Sequence, residues 1–461
     1  MRKVVLFVAA VFCFAGSDCV TLKITCRSKG MELVLLKEAI DEWIKETGNE
    51  HKVEVVTLPH ASNECFALYQ QWFSAKSFDV DALQMDVAWI GGFSEHLTDL
   101  SEYYEPNKID EEDFFDAIKN VIYVEKKMVA FPLYADCGII YYRTDLLSKY
   151  GKPVPATWQE LYATAEYIQN EERKNPEKKN RFYGFVFQAK AFEVLTCNFI
   201  EAIDSFGGAI VTNGIATISS KEGIDATLFL IDCLRNISPR SVLNYSEEDA
   251  RGVFQSGNAV FMRNWPYAWS LLNDPSTAVA GKVGVIPIPP SENGGKASGV
   301  LGGWYMTVSK YSRHKKYAVD LIKYLTSKAQ QRRRSQHSYL PTFKSLYKDA
   351  EVVKRSPFFA YLYDSLQKAV VRPSTDFRKN YTRASSEIFN TINDVLTDGT
   401  ESNMTGADVK RQLDRLNRKL NSILNKANNE NKEGVWQQIK SKVRKFLGFA
   451  DDEVKADKTK N

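Results

Sequence analysis

Segments with the apolar pattern of β-strands alternate with segments that have the apolar pattern of α-helices, and this alternation limits the fold more than any other feature. In chain order they are strand-like Thr21–Thr25, helix-like Leu33–Ile44, strand-like Val53–Thr57, helix-like Cys65–Ser74 and strand-like Asp86–Ile90. Parallel strands are joined by long crossovers, usually helices, so the alternation predicts α/β units around a parallel sheet. Ligands of such sheets bind beyond the carboxyl ends of the strands.

The chain has 461 residues, enough for about two to three domains. It contains no internal repeat and no Ser/Gly-rich linker. The α/β pattern continues past Thr157, which is placed to cap a helix. Two lobes without a linker predict a chain that passes between them more than once.

The first residues have the three parts of a secretory signal peptide. Arg2 and Lys3 are positive, Val4–Phe14 is an unbroken apolar run, and Ala15–Ser17 offers small side chains for cleavage. The run is too short to cross about 30 Å of hydrocarbon. We therefore expect residues 1–17 to be a signal peptide and the mature chain to be periplasmic, either soluble or attached to the outer face of the inner membrane. A buried N-terminal helix is the alternative.

Charge and hydropathy exclude two classes of protein. Lys plus Arg is 61 and Asp plus Glu is 57, so the formal charge is +4, which predicts no nucleic-acid partner. The mean hydropathy of −0.34 excludes a polytopic membrane protein. The seven cysteines show no Cys-x-x-Cys and no zinc spacing, and their pairing stays open. We expect a monomer.

Signatures of catalysis are absent from the sequence. The five histidines never pair at i, i+4, and there is no nucleophile elbow, phosphate-binding loop or dinucleotide fingerprint. These absences predict a protein that is not an enzyme and has no metal or cofactor. Two carboxylates that converge only in space can still hydrolyse a glycoside, so that alternative stays open.

Several short motifs combine aromatic residues with acids, arginine and glycine. They are Phe131–Asp136, Phe187–Gln188, Phe192–Asn198, Asn264–Tyr267, Leu301–Trp304 and Arg372–Ser374. Apolar faces of sugar rings stack on Trp and Tyr, while sugar hydroxyls bond to carboxylates, amides and Arg. Taken alone, a Trp in a strand is more often a core residue than a platform for a sugar, so the co-occurrence of the motifs carries the prediction of a sugar site.

A longer series of strings has a fixed order along about residues 22–425. It comprises Lys29–Glu32, Ala67–Gln71, Asp86–Trp89, Asp136–Asp145, Pro155–Leu161, Phe185–Asn198, Gly207–Gly208, Phe254–Gly257, Asn264–Tyr267, Leu301–Trp304, Leu340–Thr342 and Arg372–Pro373. In this order the strings resemble the family 1 extracellular solute-binding proteins of ABC importers, in particular the trehalose- and maltose-binding branch.

The resemblance implies an α/β fold of the type II periplasmic-binding-protein kind. Two α/β lobes would be joined by a hinge that the chain crosses several times, with the ligand between them. By this resemblance the N-lobe comprises residues 18–140 and 298–342, and the C-lobe residues 141–297 and 343–427.

The resemblance also implies a set of ligand contacts, matched motif by motif. Hydroxyl contacts from one lobe and the hinge side would come from Glu32, Asp86, Tyr134 and Asp136. Sugar rings would stack on Trp265, Tyr267 and Trp304, close to the backbone of Gly302 and Gly303. Arg372 would bond hydroxyls from the far lobe, and Glu193 would lie in the same pocket. Family members often carry Arg where this chain has Cys65, so a guanidinium would be missing at the pocket edge.

These expectations combine into one function and one alternative. The chain would be the substrate-binding component of an ABC importer that binds an uncharged sugar between closing lobes. An α-linked glucose disaccharide such as trehalose or maltose is the expected ligand, and transmembrane permease subunits are the expected partner. The alternative is an exported carbohydrate-active enzyme with Asp136 and Glu32 as an acid/base pair.

Residues 428–461 lie beyond the resemblance. Asn428–Glu433 is polar and has the composition of a linker. In residues 432–449 the apolar side chains recur on one helical face, and five positive residues against Glu433 give +4. This segment predicts a basic amphipathic helix that either contacts a membrane surface or docks on the C-lobe.

Overall fold

A computed structural model describes residues 19–27, 30–48, 50–59, 62–103, 111–296, 298–355 and 358–446 of the chain, without the side chains of residues 62–63 and 430–446. The predicted signal peptide at 1–17 therefore lies outside the described residues. Within them, no helix has the length and apolar character needed to cross a bilayer.

Thirteen strands occur in the described ranges. They are β1 Thr21–Cys26, β2 Lys52–Thr57, β3 Ala82–Asp86, β4 Tyr123–Val124, β5 Lys127–Met128, β6 Phe131–Cys137, β7 Ile139–Arg143, β8 Tyr183–Val186, β9 Val211–Thr212, β10 Ile215–Ala216, β11 Ala259–Asn264, β12 Val283–Pro287 and β13 Leu301–Val308.

Seventeen α-helices occur in the same ranges. They are α1 Met31–Thr47, α2 Ser62–Ser74, α3 Ile90–Phe93, α4 Asp116–Ile122, α5 Thr144–Lys149, α6 Trp158–Glu172, α7 Glu193–Ser205, α8 Lys221–Asn236, α9 Glu247–Gln255, α10 Ala268–Leu272, α11 Lys315–Leu325, α12 Lys328–Ser335, α13 Ala350–Arg355, α14 Phe359–Gln367, α15 Ser374–Phe377, α16 Tyr381–Glu401 and α17 Gly406–Phe446.

Two main sheets form the cores of two lobes, as the type II binding-protein fold requires. The first has the order β2-β1-β3-β13-β6, with β1 parallel to β2 and β3. The second has the order β12-β7-β11-β8, with β11 parallel to β8 and antiparallel to β7. The predicted α/β units are confirmed, but β13 runs antiparallel to β3 and β6, so the first sheet is mixed.

Local capping explains where two predicted helices end or begin. Gly48 ends α1 with φ of +62°, a left-handed conformation that glycine adopts without a Cβ penalty. The Thr157 side chain accepts a hydrogen bond from the Glu160 N–H at the start of α6, as expected for an N-cap.

The predicted strand at Asp86–Ile90 is wrong in position. The strand is β3, which ends at Asp86, and the chain turns immediately afterwards. The Asp86 carboxylate accepts a hydrogen bond from the Ala88 N–H at 2.8 Å, and the Asp86 carbonyl accepts one from the Trp89 N–H at 3.0 Å. This turn places the Asp86 side chain at the end of a buried strand.

Three chain segments meet where the first sheet gives way to the second. Gly138 separates β6 from β7, and the chain returns from β12 to β13 through Gly299 and Val300. Val370 accepts a hydrogen bond from the Leu301 N–H at 2.8 Å and donates one to the Gly299 carbonyl at 3.0 Å. These three segments form the connection between the lobes.

The C-terminal helices pack on the second lobe, where α16 and α17 contact α8 and α16 also contacts α7. Helix α17 continues without a break to Phe446, so the prediction of a linker at Asn428–Glu433 is wrong. No Gly or Pro occurs there, and extending an existing helix avoids the cost of nucleation. The side chains of the amphipathic face predicted in 432–449 lie outside the described part of the chain.

Candidate ligand-binding cleft

A cleft of about 500 Å³ lies between the two lobes. It is lined by all of the residues that the sequence motifs single out for ligand contact: Glu32, Asp86, Tyr134, Asp136, Glu193, Trp265, Tyr267, Gly302, Gly303, Trp304 and Arg372. Residues from strands, helix starts and the lobe connection thus converge on one space. Its size falls in the usual range for small-molecule sites.

Glu32 forms the floor of the cleft near the start of α1. The side chain is 5% exposed, and its carboxylate accepts hydrogen bonds from the Tyr134 hydroxyl at 3.0 Å and from the Gln84 amide. These two donors come from β6 and β3, so the first sheet fixes the orientation of the carboxylate.

Asp136 is the carboxylate with unmet hydrogen-bonding capacity. Its Oδ1 is buried and has no hydrogen-bond partner within the described part of the chain. Burial raises the pKa of Asp136 to about 8; Arg27 opposes the shift, while the carboxylates of Glu32 and Asp86 add to it. Near neutral pH the Asp136 carboxyl is therefore largely protonated, and it can donate as well as accept a hydrogen bond.

Arg372 joins the two lobes through carboxylates. It is 3% exposed, and its guanidinium donates to Asp86 at 2.6 Å and to Glu193 at 2.9 Å. Glu193 also accepts from the hydroxyls of Tyr381 and Ser385, both at 2.6 Å. The resemblance implies that Arg372 bonds ligand hydroxyls, but here two of its nitrogens are committed to protein carboxylates.

The three aromatic residues from the motifs differ in how much of each ring is exposed to the cleft. Trp304 is 4% exposed, and the Arg27 guanidinium lies over its ring at 4.8 Å from the centroid. Trp265 is half-buried. Tyr267 is also half-buried, and its hydroxyl donates to Glu248 at 2.5 Å. Trp265 therefore offers more ring surface to a ligand than Trp304 does.

Two glycines permit close packing at this site. A Cβ on Gly302 would lie 3.1 Å from the Trp265 ring, so the indole rests against bare backbone. Gly303 has φ of +119°, and a Cβ there would overlap the Tyr134 carbonyl oxygen. The pair brings strand β13 of the first lobe against the indole of the second.

A buried ion pair packs against the indole of Trp265. The Arg263 guanidinium lies 4.0 Å from the centroid of Trp265 and donates to both carboxylate oxygens of Glu201, at 2.8 and 2.5 Å. Glu201 also accepts the Val300 N–H at 3.1 Å in the lobe connection. A Cβ on Gly138 would overlap the same carboxylate. The Trp265 indole and the segments that connect the lobes therefore contact the same buried ion pair, Arg263 and Glu201.

Sequence reasoning missed ten residues of the cleft. They are Arg27, Gly30, Leu58, Pro59, Phe192, Val194, Cys197, Glu247, Glu248 and Tyr339. Phe192, Val194 and Cys197 fall inside a motif already noted, whereas Arg27 directly follows β1 and Glu247 begins α9, each in a polar stretch of sequence without a distinctive local pattern. Arg27 supplies a guanidinium to the cleft although Cys65 cannot.

The described residues hold neither a cluster of metal-ligating side chains nor a disulfide. No group of three His, Cys, Asp or Glu side chains suited to a metal occurs among the described residues. The six cysteines of the described ranges are all free thiols, and Cys65 is buried, with a pKa that burial raises to about 11.

Two α/β lobes with a polar and aromatic cleft at their junction define a ligand-binding protein of the periplasmic type II class. The profile of the bacterial extracellular solute-binding proteins matches residues 33–332, more than half of the chain. The chain belongs to this family.

Three similar proteins illustrate the range of the family. A probable ABC transporter-binding protein of Deinococcus radiodurans is 39% identical over 423 residues, which are 90% of this chain and 99% of that protein. The structure of maltose-bound MalE3 of T. maritima is 35% identical, with a TM-score of 0.78 over 87% of this chain and all of that one. The probable amino-acid-binding protein y4oP of Sinorhizobium fredii is 24% identical over 68% of this chain and 69% of that protein.

Proposed function

We propose that the protein is the substrate-binding component of an ABC importer for an uncharged sugar, specifically an α-linked glucose disaccharide such as trehalose or maltose. The ligand binds between the lobes, and the closed form delivers it to the transmembrane permease subunits. The mature chain acts as a monomer outside the inner membrane after removal of residues 1–17. The motif residues that line the cleft surround the ligand, and Asp136 and Trp265 make the main contacts.

The observation that carries the proposal is the pairing of a half-buried indole with hydrogen-bonding carboxyls in one cleft. Trp265 offers an apolar ring to the C–H face of a sugar. Asp136 offers a carboxyl oxygen that has no partner among the described residues, and a sugar hydroxyl would satisfy it. A cleft of about 500 Å³ has room for more than one sugar ring.

The similarity to MalE3 supports the choice of disaccharide. That protein is maltose-bound and covers 87% of this chain at 35% identity. The family supports binding rather than catalysis, and Glu32 is already hydrogen-bonded by Tyr134 and Gln84. The raised pKa of Asp136 serves binding directly, because a protonated carboxyl exchanges hydrogen bonds with hydroxyls in either direction.

Lobe closure follows from differential affinity. A ligand shifts the equilibrium between open and closed forms only by the contacts that it makes better in one of them. Trp265 belongs to the second lobe, and Glu32 and Asp136 belong to the first, so a sugar between them favours closure. No chemical change in the ligand is needed.

A thermal-shift screen of the mature chain against mono- and disaccharides tests the proposal, because binding to the folded state raises the melting temperature. We expect trehalose or maltose to raise it and calorimetry to give a micromolar or tighter Kd. Flat responses to trehalose, maltose and sucrose would count against the sugar class. Release of glucose from a disaccharide, lost in Asp136→Asn, would replace the binding function with hydrolysis.

A further inference from the structure

Two oppositely charged side chains face the cleft from different lobes. We propose that Arg27 and Glu247 form a polar clamp that takes neighbouring hydroxyls of the bound sugar and sets which disaccharide is accepted. This inference rests on the proposed function and adds two specificity-determining residues to it.

Arg27 is held in place at the cleft edge by its surroundings. It directly follows β1, and its main-chain N–H donates to the Gln84 side chain at 2.7 Å. The guanidinium covers the ring of Trp304, so a ligand at this end of the cleft meets the guanidinium plane rather than the indole. No described carboxylate lies within ion-pair distance of it, and no described residue accepts a hydrogen bond from it.

Glu247 approaches from the second lobe as the first residue of α9. Its main-chain carbonyl accepts from the Asn264 amide at 3.1 Å, which ties it to the end of β11. The half-buried carboxylate lines the cleft and makes no hydrogen bond or ion pair with a described residue. The adjacent Glu248 differs, because Tyr267 and Arg251 both donate to it.

Apart from Asp136, whose Oδ1 also lacks a partner among the described residues, the remaining acidic side chains of the cleft are hydrogen-bonded. Glu32, Asp86 and Glu193 each accept hydrogen bonds from neighbouring side chains. Burial acts to lower the pKa of Arg27, but the charge of Glu247, ahead of Tyr134, Glu32 and Asp86, raises it above the ordinary value. Arg27 and Glu247 thus line one cleft, and each keeps its side-chain hydrogen-bonding groups for a ligand.

A guanidinium and a carboxylate are complementary to two neighbouring hydroxyls. The guanidinium presents five donors in a fixed fork, and the carboxylate accepts. Because the two groups belong to different lobes, a sugar that satisfies both draws the lobes together. The planar fork, rather than charge alone, gives the clamp its selectivity among hydroxyl arrangements.

Calorimetric titration of the mature chain with maltose and with trehalose tests the clamp. The variants are Arg27→Lys, Glu247→Gln and the double variant, and surface Arg333→Lys serves as the matched control. We expect each single variant to weaken binding of the preferred disaccharide about tenfold or more, since Arg27→Lys loses the planar fork of donors and Glu247→Gln loses the charge of the acceptor. The double variant should lose less than the product of the two single losses, because the groups act on one ligand.

The outcomes separate the clamp from the proposed function. If the unaltered chain binds sugar and both single variants bind within twofold of it, the clamp is wrong and the sugar function stands. If the unaltered chain binds no sugar but binds an amino acid, whose opposite charges suit the same two groups, both are wrong. Should Arg27→Lys fail to fold, Glu247→Gln decides alone, because its carboxylate has no described partner to lose.

Discussion

Replacing Asp136 with asparagine should stabilise the unliganded protein and lower its affinity for sugar. Asparagine keeps the shape of the carboxyl group but cannot ionise. In the native protein burial raises the pKa of Asp136 from 3.8 to about 8. Ionisation is therefore easier in the unfolded chain than in the folded one, and it lowers the stability of the native state as pH rises.

The size of the effect follows from the two pKa values. Well below pH 3.8 the carboxyl is protonated in both states, and the aspartate costs nothing relative to asparagine. Between pH 4 and 8 the cost grows by at most about 1.4 kcal/mol per pH unit, which gives an upper limit of about 4 kcal/mol at pH 7. The Asp136 residue is half-buried rather than fully buried, so we expect a smaller cost of about 1–2 kcal/mol.

Urea unfolding of the two proteins from pH 4 to pH 9 measures this cost. The difference in unfolding free energy, variant minus wild type, should rise from pH 4 to about pH 8 and then level off. A difference that stays constant over this range would refute the argument, because it would show that Asp136 ionises equally well in both states. The variant should also bind maltose or trehalose more weakly, whatever its stability.

Three further changes test other parts of the structure. Arg372→Met leaves two carboxylates without their shared cation, so we expect a loss of about 3–5 kcal/mol in urea unfolding, whereas an unchanged midpoint would show that the link is dispensable. Gly303→Ala forces a Cβ onto the Tyr134 carbonyl at positive φ and should lower the melting temperature by several degrees, while exposed Gly252→Ala within α9 should raise it slightly. If residues 432–449 contact membranes, the full chain should float with anionic liposomes and a 1–427 truncation should not; equal flotation would favour docking on the C-lobe.

The order of motifs along the chain was enough to predict the fold and the position of the cleft. The alternation of strand and helix patterns predicts α/β units whose ligands bind at the carboxyl ends of the strands. Aromatic and acidic residues such as Tyr134, Asp136 and Trp265 stand in strings that are weak one by one but specific in their order along the chain. The structure brings these three residues to one cleft between the lobes.

The partners of individual side chains could not be predicted in the same way. Arg372 pairs with Asp86, which lies 286 positions away in the chain, and the sequence around neither residue indicates this partner. Arg27 sits in a short polar turn where an exposed arginine is equally reasonable. The continuous helix through Asn428–Glu433 was missed because a polar composition alone suits a linker and the surface of a helix alike.

The ion pair behind Trp265 imposes a constraint on how this protein can change over evolutionary time. Gly138 has no room for a side chain because the Glu201 carboxylate occupies that space, and that carboxylate is fixed by Arg263 and by the Val300 N–H. A substitution that alters the recognition platform therefore disturbs the hinge, and a substitution in the hinge disturbs the platform. The proposed clamp of Arg27 and Glu247 lies outside this pair, so it offers a route to new ligand preferences that leaves the lobe connection unchanged.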